Sequence, residues 1–161
     1  MLTVKSALKL LLWAALTGAA ILPSAHAQRE KLPTEDLEFV EKNWPEAKKT
    51  STGIRYIILR EGTGPQAKEG NKVAVVYIGR LLNGQIFDQT VKREEPFIFR
   101  VRRGQVIEGW EQILQQMKVG EKRLVIIPPE LGYGTRGQAP KIPRNSTLVF
   151  EMELAEILPE E

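Results

Sequence analysis

The sequence predicts an α+β fold, an antiparallel β-sheet wrapped across one short α-helix, and three observations predict it. Runs rich in β-branched residues recur between Gly, Pro and Asn turn signals from Ile54 to Leu158. Asn83-Gly84 is the dipeptide best suited to the positive φ angles of a tight hairpin turn, so the runs on either side of it are antiparallel neighbours. Within this span only Glu108 to Lys118 has helical periodicity, with Trp110, Ile113, Leu114 and Met117 at i, i+3, i+4 and i+7.

The first 27 residues have the three parts of a secretory signal. Lys5 and Lys9 precede an apolar stretch from Leu10 to Leu22, and Ala25-His26-Ala27 is a small-x-small cleavage site. Residues 1–27 are therefore expected to be removed, leaving a mature chain that begins at Gln28. The alternative is an uncleaved anchor, but the apolar stretch falls short of the ~20 residues that span a bilayer, and Thr17, Gly18 and Pro23 weaken it. No stable membrane insertion is expected after cleavage.

Residues 28–52 read as a polar arm. Pro33 and Thr34 can start a short helix in which Leu37, Val40 and Trp44 share a face, and Pro45 should stop it. Two readings stay open for the arm: a solvated segment docked loosely on the domain, or a dimerisation or partner-binding helix.

Residues 53–161 form the folded domain. Ile54 to Arg60 is its first strand, bounded by Gly62-Thr63-Gly64-Pro65. Lys72 to Leu82 is the second, and Gln85 to Asp88 begins the return after the hairpin. Phe97 to Arg102 alternates, with Phe97, Phe99 and Val101 on one face and Ile98, Arg100 and Arg102 on a solvated one. The helix follows and Gly120 stops it. Glu121 to Pro128 and Thr147 to Leu158 are further strands, the last turning Leu148, Phe150, Met152 and Leu154 toward the core and Glu151 and Glu153 away. Between Pro129 and Ser146 lies a stretch with three Gly, three Pro and no periodicity, and long loops of this kind are usually functional.

Composition narrows the chemistry. The chain has no Cys, which excludes disulfides, a lipid-modified Cys and thiol catalysis, and its one His, His26, lies in the expected signal. No metal or cofactor is expected. The formal net charge of +3 falls to +1 without Lys5 and Lys9, so no nucleic-acid partner is expected either. On the same ground the cluster Arg100, Arg102 and Arg103 reads as a solvated face.

Six aromatics, Tyr77, Phe87, Phe97, Trp110, Tyr133 and Phe150, sit in short motifs that read together as one apolar pocket. Taken singly, each could be plain core packing, since such residues dominate cores. Tyr133 differs, because it stands in a Gly-rich loop where nothing structural demands an aromatic. Asp88 reads equally well as a hairpin-end residue or as a functional one.

The motifs that carry these residues are VVYIG (Val75 to Gly79), NGQIFD (Asn83 to Asp88), PFIF (Pro96 to Phe99), VIEGWEQ (Val106 to Gln112), MKVGEKR (Met117 to Arg123), LGYG (Leu131 to Gly134) and IPRNSTLVFEMEL (Ile142 to Leu154). In order and spacing, roughly from Thr52 to Leu158, they resemble the FKBP-type peptidyl-prolyl cis/trans isomerases, of an exported bacterial type given the signal. The resemblance implies an FKBP-like fold for residues 53–161 and a pocket with Trp110 as floor and Tyr77, Phe97 and Phe150 as walls. Phe87, Val106, Ile107 and Ile142 would complete the lining. It also implies that the Tyr133 hydroxyl and the Ile107 N–H meet substrate carbonyls, that Asp88 lies at the rim, and that Arg93 is its basic partner.

Three residues depart from the family pattern: Ile78 replaces a small polar residue, Gln138 stands where some members carry His, and Lys141 replaces an apolar residue. The resemblance implies macrolide ligands as well as X-Pro substrates, and these departures bear on both. The expected function is therefore isomerisation of X-Pro bonds in unfolded or partly folded exported proteins, with Tyr133, Asp88 and Trp110 at the centre of the site. The rival is a chaperone or binding module that holds proline-containing segments without accelerating the flip. Export without a C-terminal retention signal makes the periplasm the expected destination.

Overall fold

The computed structural model describes residues 30–159. The signal assigned to residues 1–27 lies outside the described residues. Seven strands form one antiparallel sheet: β1 (Lys48–Lys49), β2 (Arg55–Arg60), β3 (Lys72–Leu81), β4 (Ile86–Thr90), β5 (Phe97–Arg100), β6 (Lys122–Ile127) and β7 (Leu148–Leu158). Their order is β1-β2-β6-β7-β3-β4, with β5 also on β3. The long β3 explains this arrangement. One edge pairs with β7 from Lys72–Leu158 to Leu81–Leu148, while the other takes β5 along Lys72 to Val75 and β4 along Tyr77 to Arg80.

The helix α2 (Glu108–Leu114) packs on one face of the sheet. Trp110, Ile113 and Leu114, with Met117 beyond it, share a core with Val73, Val75, Val125, Ile127, Leu148, Phe150, Met152 and Leu154. Burying one such side chain contributes about 1.5–3 kcal/mol, so this cluster is the main source of stability. Close approach depends on Gly109, where an added Cβ would lie 2.6 Å from Ile127 Cγ2.

The helix is shorter than its periodicity predicts. After Leu114 the backbone tightens into i→i+3 bonds, and residues 117–119 are captured by the preceding turn through Ala67 N–H to Met117 O (3.0 Å) and Val119 N–H to Pro65 O (2.9 Å). Met117 stays fully buried, as its periodicity requires. The strand at Phe97 also ends early, because Arg102 turns to φ 60° and its N–H meets the Glu111 carboxylate. Arg102 therefore lies in a turn, paired with Glu108 at 2.7 Å, and not on a strand face.

The opposite face of the sheet is covered at one end by α1 (Thr34–Asn43). Leu32 and Val40 are buried against Ile126 and Val149, with Leu37 and Trp44 beside them. Loose docking of the arm is thereby corrected. Glu30 accepts hydrogen bonds from Arg55, Lys49 and the N–H groups of Lys31 and Leu32, and the Leu37, Val40 and Trp44 face is used on the arm's own domain.

The stretch from Pro129 to Ser146 is not structureless either. It opens with a 3₁₀ turn (Pro129–Leu131) and is laced by backbone bonds, among them Gly134 N–H to Pro129 O (2.9 Å), Gly137 N–H to Tyr133 O (3.0 Å) and a reciprocal pair between Gln138 and Ile142 (2.8 Å each).

Candidate active site

Elements far apart in sequence converge on one cleft. Strand β3 supplies Tyr77, β4 supplies Phe87 and Asp88, β5 supplies Phe97 and β7 supplies Phe150. The turn before α2 supplies Gln105, Val106 and Ile107, α2 supplies Trp110, and the loop after β6 supplies Tyr133. The cleft encloses about 490 Å³ when the open space at its mouth is counted. Nine of the ten predicted site residues line it, and the exception is Ile142. That side chain is 2% exposed and belongs to the core, where it plugs the 129–146 loop into the domain.

Trp110 is the floor. It is 4% exposed and packs against Tyr77 (4.8 Å between ring centroids), Phe150 (5.3 Å), Phe99 (6.0 Å) and Phe97 (6.2 Å), the first two nearly perpendicular to it. Edge-to-face contacts of this kind fix ring positions beyond what burial alone does. The indole N–H is buried and finds no acceptor atom among the described residues. A second edge-to-face pair, Phe87 on Phe150 at 5.6 Å, stands on the backbone of Gly79. A Cβ there would lie 2.7 Å from Phe87 Cζ and 2.8 Å from Phe150 Cε1, so only glycine leaves room for both walls.

The polar groups are few and placed with purpose. Tyr77 donates its hydroxyl hydrogen to Asp88 Oδ2 at 2.6 Å, and Asp88 Oδ1 accepts from Gln89 N–H at 3.0 Å. Burial pushes the Tyr77 phenol well above its usual range, and the bond to Asp88 pushes it further. Burial also raises Tyr133, helped by the negative charge of Asp88. Both phenols therefore stay protonated and able to donate at neutral pH.

Arg93 is not the partner of Asp88. The turn between β4 and β5 carries it to the other face of the sheet, where it pairs with Glu153. Arg60 meets the same carboxylate at 2.7 Å.

Two donors at the cleft remain unused. Neither the Ile107 N–H nor the Tyr133 hydroxyl bonds to any described residue. The Ile107 carbonyl, by contrast, accepts from Trp110 N–H (3.0 Å) and Glu111 N–H (3.2 Å) as the first turn of α2. That turn holds the Ile107 N–H in place without consuming it.

Gln105 and Glu111 also serve the site, and their sequence context does not announce either. Gln105 Oε1 accepts the Arg100 N–H at 2.7 Å, which seats the residue at the cleft edge, and no periodicity marks it. Glu111 reads as an ordinary helix charge, yet it is 2% exposed and its carboxylate receives the N–H groups of Arg102 and Gly104. It staples the turn that delivers Val106 and Ile107. The hint available was the left-handed backbone that Gly104 permits seven residues before it.

The family model for FKBP-type peptidyl-prolyl cis-trans isomerases matches residues 64–155, more than half of the chain and every residue of this cleft. The chain belongs to the FKBP-type isomerase family. It is an isomerase of X-Pro peptide bonds by that membership.

Its relatives include FK506-binding protein 1 of Dictyostelium discoideum, 46% identical over 63% of this chain and 95% of that protein. FK506-binding protein 2 of the same organism is 52% identical over 66% of this chain and 78% of that protein. Among solved structures, FkpA from Escherichia coli is similar at 42% identity with a TM-score of 0.70, over 78% of this chain and 58% of that one. A peptidyl-prolyl isomerase from Pseudomonas syringae is similar at 36% identity with a TM-score of 0.67, over 81% of this chain and all of the other. The seven-stranded antiparallel sheet with its short helix is the fold these FKBP structures share.

Proposed function

We propose that this isomerase is exported, most simply to a bacterial periplasm, and that it speeds slow X-Pro steps while secreted proteins fold there, using the Trp110 cleft. The observation that carries the site is the pairing of an apolar, aromatic floor with two fixed and unused donors, the Ile107 N–H and the Tyr133 hydroxyl. Export rests on residues 1–27, and the likeness to two bacterial structures supports a bacterial type. Among the described residues no helix is long and apolar enough to cross a membrane.

The chemistry follows from the amide. Resonance gives the C–N bond partial double-bond character and a rotation barrier of about 18–20 kcal/mol. Uncatalysed, the flip takes tens to hundreds of seconds. The planar ground state is more charge-separated than the twisted transition state, so water favours the planar form. A prolyl ring seated on Trp110 between Tyr77, Phe97 and Phe150 loses that water and the twist becomes easier.

The Tyr133 hydroxyl and Ile107 N–H hold carbonyls of the bound segment, and they accelerate the reaction to the extent that they fit the twisted geometry better. Every tenfold gain requires about 1.4 kcal/mol of such preference. Asp88 orients Tyr77 and is no base, because no proton moves. A macrolide of the kind for which the Dictyostelium relatives are named would occupy the same cleft. Gln138 and Lys141, which border it at Phe87 and Asp88, would tune that affinity.

Two measurements test this reading. Expressed whole in a bacterium, the protein should be recovered in the exported fraction with Gln28 as its first residue. An intact Met1 and cytosolic recovery would overturn export. In a proline-limited refolding assay, the fragment from Gln28 to Glu161 should accelerate folding at substoichiometric amounts. Suppressed aggregation at stoichiometric amounts without any acceleration would favour the binding module.

A further inference from the structure

The arm touches both ends of the loop that carries Tyr133. At the entry, Lys31 Nζ lies 3.0 Å from Glu130 Oε2, within the 3₁₀ turn that opens the loop. At the exit, the Thr147 hydroxyl donates to Asp36 Oδ2 on α1 at 2.5 Å. Between these points the loop's shape is fixed from within, through Gly134 to Pro129, Gly137 to Tyr133, Asn145 to Gly134 and the Gln138 and Ile142 pair. Internal bonds fix a shape but not its placement on the sheet. Placement falls to the loop's ends and to the Ile142 plug.

We propose that residues 30–52 act as a positioning brace for the isomerase site, with Asp36 and Thr147 as the principal clamp and Lys31 and Glu130 as the weaker one. This rests on the reading of Tyr133 as a substrate-binding donor. The ranking of the clamps follows from burial. Thr147 is 2% exposed and its hydrogen bond to the Asp36 carboxylate is partly buried, whereas the Glu130 side chain is 57% exposed and its ion pair is screened.

The arm is itself firmly held, as a brace must be. Glu30 is gripped by Arg55 at 2.8 and 3.0 Å and by Lys49 at 2.8 Å, while Leu32 and Val40 sit in a core of their own with Ile126 and Val149. A third contact reaches the other side of the site, where Thr52 Oγ1 donates to Gln112 Oε1 on α2 at 2.6 Å. One short segment thus spans the helix that carries Trp110 and the loop that carries Tyr133. Both residues line the same cleft.

The test compares Thr147→Val, which keeps the shape and removes the hydroxyl, with Thr147→Ser, which keeps the hydroxyl. Glu38→Gln, on the exposed side of α1, is the control, and Tyr133→Phe is the reference for the site itself. Turnover of an X-Pro peptide and amide hydrogen exchange at Gly134, Gly137 and Gln138 are measured on each.

Thr147→Val should lower kcat/KM about three- to tenfold, short of the ~hundredfold that a full ångström of misplacement brings. It should also speed exchange at those amides, while Thr147→Ser and Glu38→Gln match the parent. Unchanged exchange and turnover in Thr147→Val would overturn the brace. Faster exchange at the loop with unchanged turnover, alongside a fully active Tyr133→Phe, would instead sink the role given to Tyr133 and leave the mechanical coupling standing.

Discussion

Replacing Gly79 by alanine probes the packing that makes the cleft. The new Cβ would sit 2.7 Å from Phe87 Cζ and 2.8 Å from Phe150 Cε1, about 0.7 Å inside the 3.4 Å at which ordinary contact begins. Neither ring can retreat freely, since Phe150 is held edge-to-face by Trp110 at 5.3 Å and by Phe87 at 5.6 Å. The easiest relief is to push both walls toward the cavity.

Overpacking of this kind costs about 1–3 kcal/mol. In a domain of this size that lowers Tm by roughly 3–15 °C. Displacing two walls by most of an ångström should reduce kcat/KM about ten- to hundredfold. The assay is cis/trans exchange of an X-Pro peptide beside thermal unfolding followed by circular dichroism. Gly84→Asn is the control for activity, because a Cβ at Gly84 meets nothing within 4 Å and the strain at its φ of +87°, least for asparagine among side-chain-bearing residues, stays in a turn away from the cleft. Normal kcat/KM with Tm within about a degree of the parent would refute the account of how the walls are set.

Trp110→Ala should remove the floor, destabilise the domain by about 3–5 kcal/mol and abolish measurable catalysis, checked by unfolding and by peptide exchange. Tyr133→Phe should leave stability unchanged and lower kcat/KM by about three- to thirtyfold, since one substrate hydrogen bond is lost. Arg100→Ala should leave turnover intact, because its guanidinium reaches Gly70 O at 3.1 Å and not the cleft.

Arg55 foremost, with Lys49 and two backbone N–H groups, holds the Glu30 carboxyl far below the usual range and outweighs the opposing effect of burial. A depressed carboxyl stabilises the fold above its unfolded pKa of about 4.3 and loses that contribution as pH falls toward the folded value. The Tm advantage over Glu30→Gln should therefore be full above about pH 5 and shrink steadily below about pH 4.

Much of this fold was legible because its signals are local. The alternation in β7, the turn at Asn83-Gly84 and the apolar spacing of α2 each report a face or a reversal that neighbouring residues alone decide. What escaped depends on contacts distant in sequence. The stripe Leu37, Val40 and Trp44 announces a buried face but not that Ile126 and Val149 cover it. Arg93 lies five residues from Asp88, yet the turn between β4 and β5 sends it to Glu153 on the other face.

At the site, the aromatic lining was readable from its motifs. Ile142 is expected in that lining and lies instead in the core behind it, because a motif locates a residue near a pocket without saying which side of the wall it occupies. Glu111 shows the converse. A carboxylate on a helix looks solvated until the backbone it caps is known.

The central claim is that the cleft turns a proline by excluding water and holding the backbone, with no proton transferred. The most direct measurement is the pH dependence of X-Pro peptide exchange catalysed by the fragment from Gln28 to Glu161. That fragment has no His or Cys, and both cleft phenols are held above their usual range. A kcat/KM that is flat from about pH 6 to 9 is expected. A bell-shaped profile in that window, or a solvent isotope effect of twofold or more, would contradict it.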